Sequence, residues 1–227
     1  MRYTYLLFDA DDTLFDFPKA SSQAFAVMCQ ANDLPSTPES YQLYHKINLE
    51  LWAAFDRGEI SKDFLTVERY VRFLKALGVE GDAQRCNRDY LAALGEAVYP
   101  LPHAEAVCRE LADRCHQLYI ITNAVASVQR SRLRACSFGD IFAGAFISEE
   151  AGASKPSRAY FDYVRAQVPG ISPENTLVIG DSLSTDIRGA NNAGLPCCWY
   201  DPHGLDRPPD LRIDYQISDL CQLLDLV

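Results

Sequence analysis

The sequence predicts an α/β protein, a doubly wound and mostly parallel sheet into which a block of helices is inserted. Three observations lead there. Short apolar runs without helical period recur along the chain, and amphipathic helical stretches separate them. That alternation is broken once, over residues 17–98, where no strand is legible. Finally, the apolar runs end on carboxylates and a hydroxyl, as expected where a parallel sheet presents the carboxyl ends of its strands to a ligand.

The first strand is expected over Tyr3–Ala10, followed by Gln117–Asn123, Gly144–Ser148, Asn175–Asp181 and Leu195–Tyr200, with a weaker sixth at Ile213–Ile217. Near-continuous Val, Ile and Leu in such runs suits strands buried on both faces. Helices are expected over His103–Cys115, Val125–Cys136, Ser157–Val168 and Ser184–Ala193, the last stopped by Gly194. The PHGLDRPPDLR stretch reads as a surface loop. The core is therefore assigned residues 1–16 and 99–227, with 17–98 as a helical insertion. In the insertion Tyr44, Ile47, Leu51 and Phe55 fall at helical spacing, as do Val67, Tyr70, Val71, Leu74 and Leu77. Trp52, Phe55, Tyr70 and Phe73 read as core in preference to a stacking surface. Arg57, Lys62 and Arg69 are expected on the solvent side.

Composition narrows the function. Hydrophobic residues make up 48% of the 227, enough for a substantial core. Twenty-one basic against 31 acidic residues, a formal charge of -10, argue against nucleic acid polymers and anionic membranes as partners. A small phosphorylated molecule remains compatible, because the potential inside a pocket can oppose the global charge. No apolar run approaches the ~18 residues of a membrane span. YTYLLF is too short for a secretory h-region, so a cytoplasmic location is expected. The eight cysteines form no C-x-x-C pair and are read as reduced.

Asp9, Asp11, Asp12 and Asp16 crowd the end of the first strand. Carboxylates that close raise one another's pKa unless something compensates. A calcium loop fails, with Thr13 at the third ligand position, Leu14 at the glycine position and Ala20 at the closing glutamate. A magnesium site fits better, since Mg²⁺ takes one or two carboxylates, waters and phosphate oxygens, and Asp9, Asp11 and Asp181 lie on strand ends. Lys155 would bring a positive charge. Asp12 and Asp16 read as turn formers.

Four segments then carry a resemblance. DADDT (Asp9–Thr13), IITNA (Ile120–Ala124), KP (Lys155–Pro156) and GDSLSTD (Gly180–Asp186) resemble, in order, the four motifs of the haloacid dehalogenase superfamily. The insertion is similar to that family's C1 cap, and the implied core is Rossmann-like. Asp12 stands where Gly is common. Together with ISEEAGASKP and IGDSLSTDIRGANNAG, it resembles the pyrimidine 5′-nucleotidase subgroup.

The resemblance implies a Mg²⁺-dependent phosphate monoester hydrolase acting on a small metabolite such as a nucleoside monophosphate. Asp9 is then the nucleophile and Asp11 the general acid and base, with its main-chain carbonyl on the metal. Thr122, the Asn123 N–H and Lys155 would hold phosphoryl oxygens, and Asp181 would complete the metal site. Asp186 would orient Lys155 or a metal-bound water, or ligate directly, with a surface pair to Arg188 as the plain alternative. Sugar-phosphate hydrolysis and a phosphomutase reaction share this chemistry. A phospho-acceptor signalling domain is the non-enzyme alternative, and it needs neither the insertion nor Asp11 as a proton shuttle.

Overall fold

The computed structural model describes residues 2–227, which divide into two compact units, residues up to Phe17 with Val98–Val227, and Pro18–Ala97. The first is built on a six-stranded sheet in the order β3-β2-β1-β4-β5-β6. The strands are β1 (Tyr5–Phe8), β2 (Gln117–Thr122), β3 (Phe142–Ile147), β4 (Thr176–Gly180), β5 (Cys197–Tyr200) and β6 (Tyr215–Ile217). Every pairing is parallel, with Phe8 opposite Ile120 on one side and Ile179 on the other. This is the doubly wound order, in which chain direction across the sheet reverses between β1 and β4.

Both faces of the sheet are covered, which explains the unbroken apolar runs. Because side chains alternate along a strand, Leu6, Phe8, Leu118, Ile120, Leu177 and Ile179 fall on one face. There they meet Ala104, Val107 and Leu111 of α5 (Ala104–Asp113). Leu7, Tyr119, Ile121, Val178 and Trp199 point the other way. They pack on Tyr160, Phe161 and Val164 of α8 (Arg158–Gln167) and Ala190 of α9 (Arg188–Ala193). The remaining helices of this unit are α6 (Ala126–Ala135), the short α7 (Ser148–Ala151) and α10 (Leu223–Leu226).

Two expectations change in detail. The first strand is shorter than the apolar run, because Ala10 turns its carbonyl to the N–H groups of Leu14 and Phe15, both at 2.9 Å. The helix expected from Ser184 begins instead as a π-helical turn, Leu183–Ile187, before α9. In that turn Ser182 Oγ accepts the Thr185 N–H at 3.3 Å, while Asp186 Oδ2 accepts the Ser182 N–H at 3.1 Å. All eight cysteines are free. Among the described residues, no helix is long and apolar enough to cross a membrane.

The second unit is helical. It holds α1 (Phe17–Ala31) from Pro18 onward, α2 (Pro38–Asp56), α3 (Lys62–Leu77) and α4 (Ala83–Glu96). Side chains of Thr37, Ser61 and Asp82 cap the last three at their N-termini, supplying acceptors to otherwise orphaned N–H groups. Gly78 ends α3 at a φ of 69°, a backbone that an L side chain would strain. Tyr70 and Phe73 are core residues: Tyr70 stacks on Tyr44 and tilts against Tyr90, and Phe73 meets Phe25 edge-on.

Arg69 departs from expectation. It is buried and not on the solvent side, donating to Asn48 and Asn87 at 3.0 Å each. Its guanidinium lies over the Tyr90 and Tyr70 rings at 4.7 and 5.1 Å. Lys62 is also largely buried, with its ammonium 5.5 Å from the centre of the Phe55 ring. In both cases an aromatic face and a long aliphatic stem make burial of the charge tolerable.

Candidate active site

The site lies in the first unit, where β1, β2 and β4 end beside the reversal point of the sheet. Asp9 follows β1 and is 7% exposed, its N–H bonded to Ile179 O at 2.8 Å. Lys155, 2% exposed, reaches the same point from the segment before α8. Its ammonium uses all three donors: it bonds the Asp9 carboxylate, Asp186 Oδ1 at 2.7 Å and the Ile121 carbonyl at 2.9 Å. Arg188 does not compete for Asp186, since it pairs with Asp210 on the surface.

Asp181, directly after β4, is held by Thr13. The Thr13 hydroxyl accepts the Asp181 N–H at 3.0 Å and donates to Asp181 Oδ1 at 3.2 Å. The Trp199 indole N–H donates to the Asp181 carbonyl at 2.8 Å. Asp9, Asp181 and Asp186 thus bring one oxygen each within 4.8 Å of one another. Gly180 makes this possible, because a Cβ there would lie 2.3 Å from Asp186 Oδ2.

Electrostatics follow from geometry. Burial drives the Asp9 pKa well up, opposed by Lys155 and reinforced by Asp186 and Asp181. Burial likewise raises Asp181 to about 7, with Asp186 and Asp12 adding to it. Burial alone would lower the Lys155 pKa, but Asp186 and Asp9 override it and raise it above the ordinary lysine value. Three carboxylates share one ammonium, an excess of negative charge that a divalent cation would neutralise. An all-carboxylate oxygen set of this kind fits a hard cation such as Mg²⁺. Asp186 has both oxygens engaged, by Lys155 and by the Ser182 N–H, whereas Asp9 has only Oδ1 so engaged.

The other expected residues are nearby in the same unit. Thr122 closes β2; its hydroxyl accepts the Ala124 N–H at 3.0 Å and keeps its own hydrogen to donate. Asn123 uses its side chain to clamp the main chain of Lys155, donating to its carbonyl and accepting its N–H, both at 2.9 Å. Asp12 adopts a φ of 61°, the left-handed region that explains why glycine suits this position. Its carboxylate accepts the Phe17 N–H at 3.2 Å, and burial raises its pKa to about 6. Asp16 donates its N–H to Tyr99 O in the same turn region.

Three partners escaped the sequence reading. Thr13 anchors Asp181, and Tyr160 ties β2 to β3 by accepting the Thr122 N–H at 3.1 Å and donating to Phe146 O at 2.5 Å. The third is Arg132 of α6, fully buried, which pairs with Asp11 and lies 4.8 Å over the Phe15 ring. Arg132 leaves a faint signal in the chain. It sits four residues after Val128, where the buried face of a helix calls for an apolar side chain.

The sequence profile of the haloacid dehalogenase-like hydrolases matches residues 6–200. The crystal structure of the HAD-hydrolase YfnB from Bacillus subtilis, bound to magnesium, superposes with a TM-score of 0.93 at 35% identity, covering 100% of this chain and 99% of that one. The pyrimidine 5′-nucleotidase PynA of Streptococcus pneumoniae is 32% identical over 99% of this chain and 95% of its own length. The pyrimidine 5′-nucleotidase YjjG of Escherichia coli is 31% identical over 100% of this chain and 99% of its own. The chain belongs to the haloacid dehalogenase-like hydrolases.

Proposed function

We propose that this chain hydrolyses phosphate monoesters through a phosphoryl group carried on Asp9, with nucleoside 5′-monophosphates, pyrimidine ones foremost, as substrates. The observation that carries the chemistry is the buried Asp9 carboxylate, bonded to Lys155 through one oxygen, with Asp11 two residues on. The substrate class is supported by the full-length similarity to PynA and YjjG.

A phosphate monoester resists hydrolysis, so positioning and charge neutralisation must supply most of the rate. Lys155 opposes the burial that raises the Asp9 pKa and so favours the ionised nucleophile, while Asp186 together with the Ile121 carbonyl fixes the ammonium in turn. An Asp9 oxygen attacks phosphorus in line, forming the O–P bond while the bond to the leaving oxygen breaks. Asp11 gives its proton to that oxygen, so the alcohol departs neutral. The Asp11 carboxylate so produced then takes a proton from the water that attacks the phosphoryl group, releasing phosphate and restoring Asp9.

The Thr122 hydroxyl and the Asn123 N–H are assigned to the phosphoryl oxygens, and Lys155 to neutralising their charge from its place beside Asp9. Asp9, Asp181 and the Asp11 main-chain carbonyl are the groups that would hold Mg²⁺, which when bound neutralises phosphoryl charge. Asp186 is assigned to orienting Lys155.

The test is phosphate release from a panel holding UMP, dUMP, dTMP, AMP and sugar phosphates, with Mg²⁺ and with EDTA. Release from the pyrimidine nucleotides in Mg²⁺, lost in EDTA and in Asp9→Asn, is expected. A preference for sugar phosphates would overturn the substrate class and keep the mechanism. Unimpaired turnover by Asp9→Asn would overturn the mechanism.

A further inference from the structure

Arg132 is the least expected charge in the first unit. Its side chain is completely shielded from solvent, yet among the described residues only two side-chain acceptors face it, the Asp11 carboxylate and Gln129 Oε1 at 3.3 Å. Among the described residues, Arg132 Nε and Nη2 and Gln129 Nε2 have no hydrogen-bond partner. Burying an ionised guanidinium in this way is costly, and a single buried ion pair is often replaceable by apolar residues without loss of stability. Fold stability therefore does not account for Arg132. What the contact does is specific: it takes hold of one oxygen of Asp11.

The surroundings make that hold rigid. Gln129 and Arg132 lie three residues apart on the buried face of α6, where their side chains meet. The helix starts just past Thr122 and Asn123, so it links the end of β2 to Asp11. Phe15, fully buried, lies under the guanidinium and stacks on Phe138 at 6.0 Å. Phe15 and Asp11 also bridge to each other within the turn that Ala10 closes. The main chain and the side chain of Asp11 are thus fixed from two directions, while the carboxyl remains 25% exposed.

We propose that Arg132, seated by Gln129 and Phe15, is a positioning residue for Asp11, holding one carboxyl oxygen so that the other faces the leaving group. This rests on the phosphatase reading above, in which Asp11 protonates that group. A mispositioned acid slows only reactions that need its proton. An alkoxide or simple phenoxide leaves badly without one, whereas 4-nitrophenoxide leaves unaided.

The experiment measures kcat/KM, which reports steps up to loss of the alcohol, for phenyl, 4-chlorophenyl and 4-nitrophenyl phosphate. It compares the wild type, Arg132→Met, Arg132→Lys, Asp11→Asn and the Asp11→Asn/Arg132→Met pair. General acid catalysis is worth roughly 10²–10⁴-fold, so partial misplacement in Arg132→Met should cost about tenfold or more on phenyl phosphate and under about threefold on the nitrophenyl ester. Arg132→Lys keeps the charge but loses the planar fork, and should fall between Met and wild type. In the Asp11→Asn background Arg132→Met should cost nothing further.

Equal losses across the three esters, or a full additional loss in the Asp11→Asn background, would overturn the inference. So would an unchanged leaving-group dependence in both Arg132 variants. If Arg132→Met does not fold, as its circular dichroism would show, Arg132→Lys carries the same comparison. A wild type inactive on every ester would instead overturn the phosphatase reading itself.

Discussion

Lys155→Met is the sharpest perturbation of this site, because methionine nearly matches the lysine stem and removes only the ammonium. In the wild type that ammonium is 2% exposed and bonded to two carboxylates and one carbonyl. Without it, Asp9 and Asp186 face each other in a buried site. Removing one partner of a buried pair costs about 3–5 kcal/mol. That is a large part of the ~5–15 kcal/mol by which a domain is stable. At roughly 2–4 °C per kcal/mol for a chain of this size, the melting temperature should fall by about 6–20 °C. Scanning calorimetry in EDTA reads this directly. Adding Asp186→Asn should recover part of the loss, because it removes one of the two opposed charges. A Lys155→Met protein that melts within about 2 °C of wild type would refute this electrostatic account of the site.

Three further outcomes follow from the same geometry. Gly180→Ala places a Cβ 2.3 Å from Asp186 Oδ2 against an anchored side chain, so the variant should lose activity and melt lower, by thermal denaturation and phosphate-release assay. Thr13→Val removes both bonds to Asp181 and leaves its N–H unpaired; a loss of about 1–3 kcal/mol in urea unfolding is expected, with a weaker apparent affinity for Mg²⁺ in activation assays. The Asp181 pKa, raised from 3.8 to about 7, favours the protonated native state. The stability it contributes is complete below 3.8 and lost as pH rises through about 7. In EDTA, then, the wild type should lose stability relative to Asp181→Asn as pH rises from about 4 to about 7, while stabilisation by added Mg²⁺ should grow over the same interval.

Much of this site was legible because strand ends are legible. A strand buried on both faces has to be apolar throughout, so Asp9, Thr122 and Asp181 stand out where the runs stop. What was not legible depends on side chains that cross the fold. Thr13 reads as an ordinary turn residue until β4 delivers Asp181 to it, 168 positions away. Arg69 and Arg132 occupy apolar positions of helical stripes, and only the Tyr cage in one case and Asp11 in the other explain them. The π-helical turn that brings Asp186 back to Lys155 has no periodic signature of its own, since its bonds run through Ser182 and the carboxylate.

The central claim is that Asp9 carries the phosphoryl group during turnover. Acid quenching of the enzyme mixed with UMP and Mg²⁺, followed by peptide mass spectrometry, tests it most directly. The account predicts a phosphate adduct on the peptide that spans Asp9, formed on the time scale of turnover and absent from Asp9→Asn. Steady phosphate release with no adduct there, or with the adduct on another residue, would contradict it.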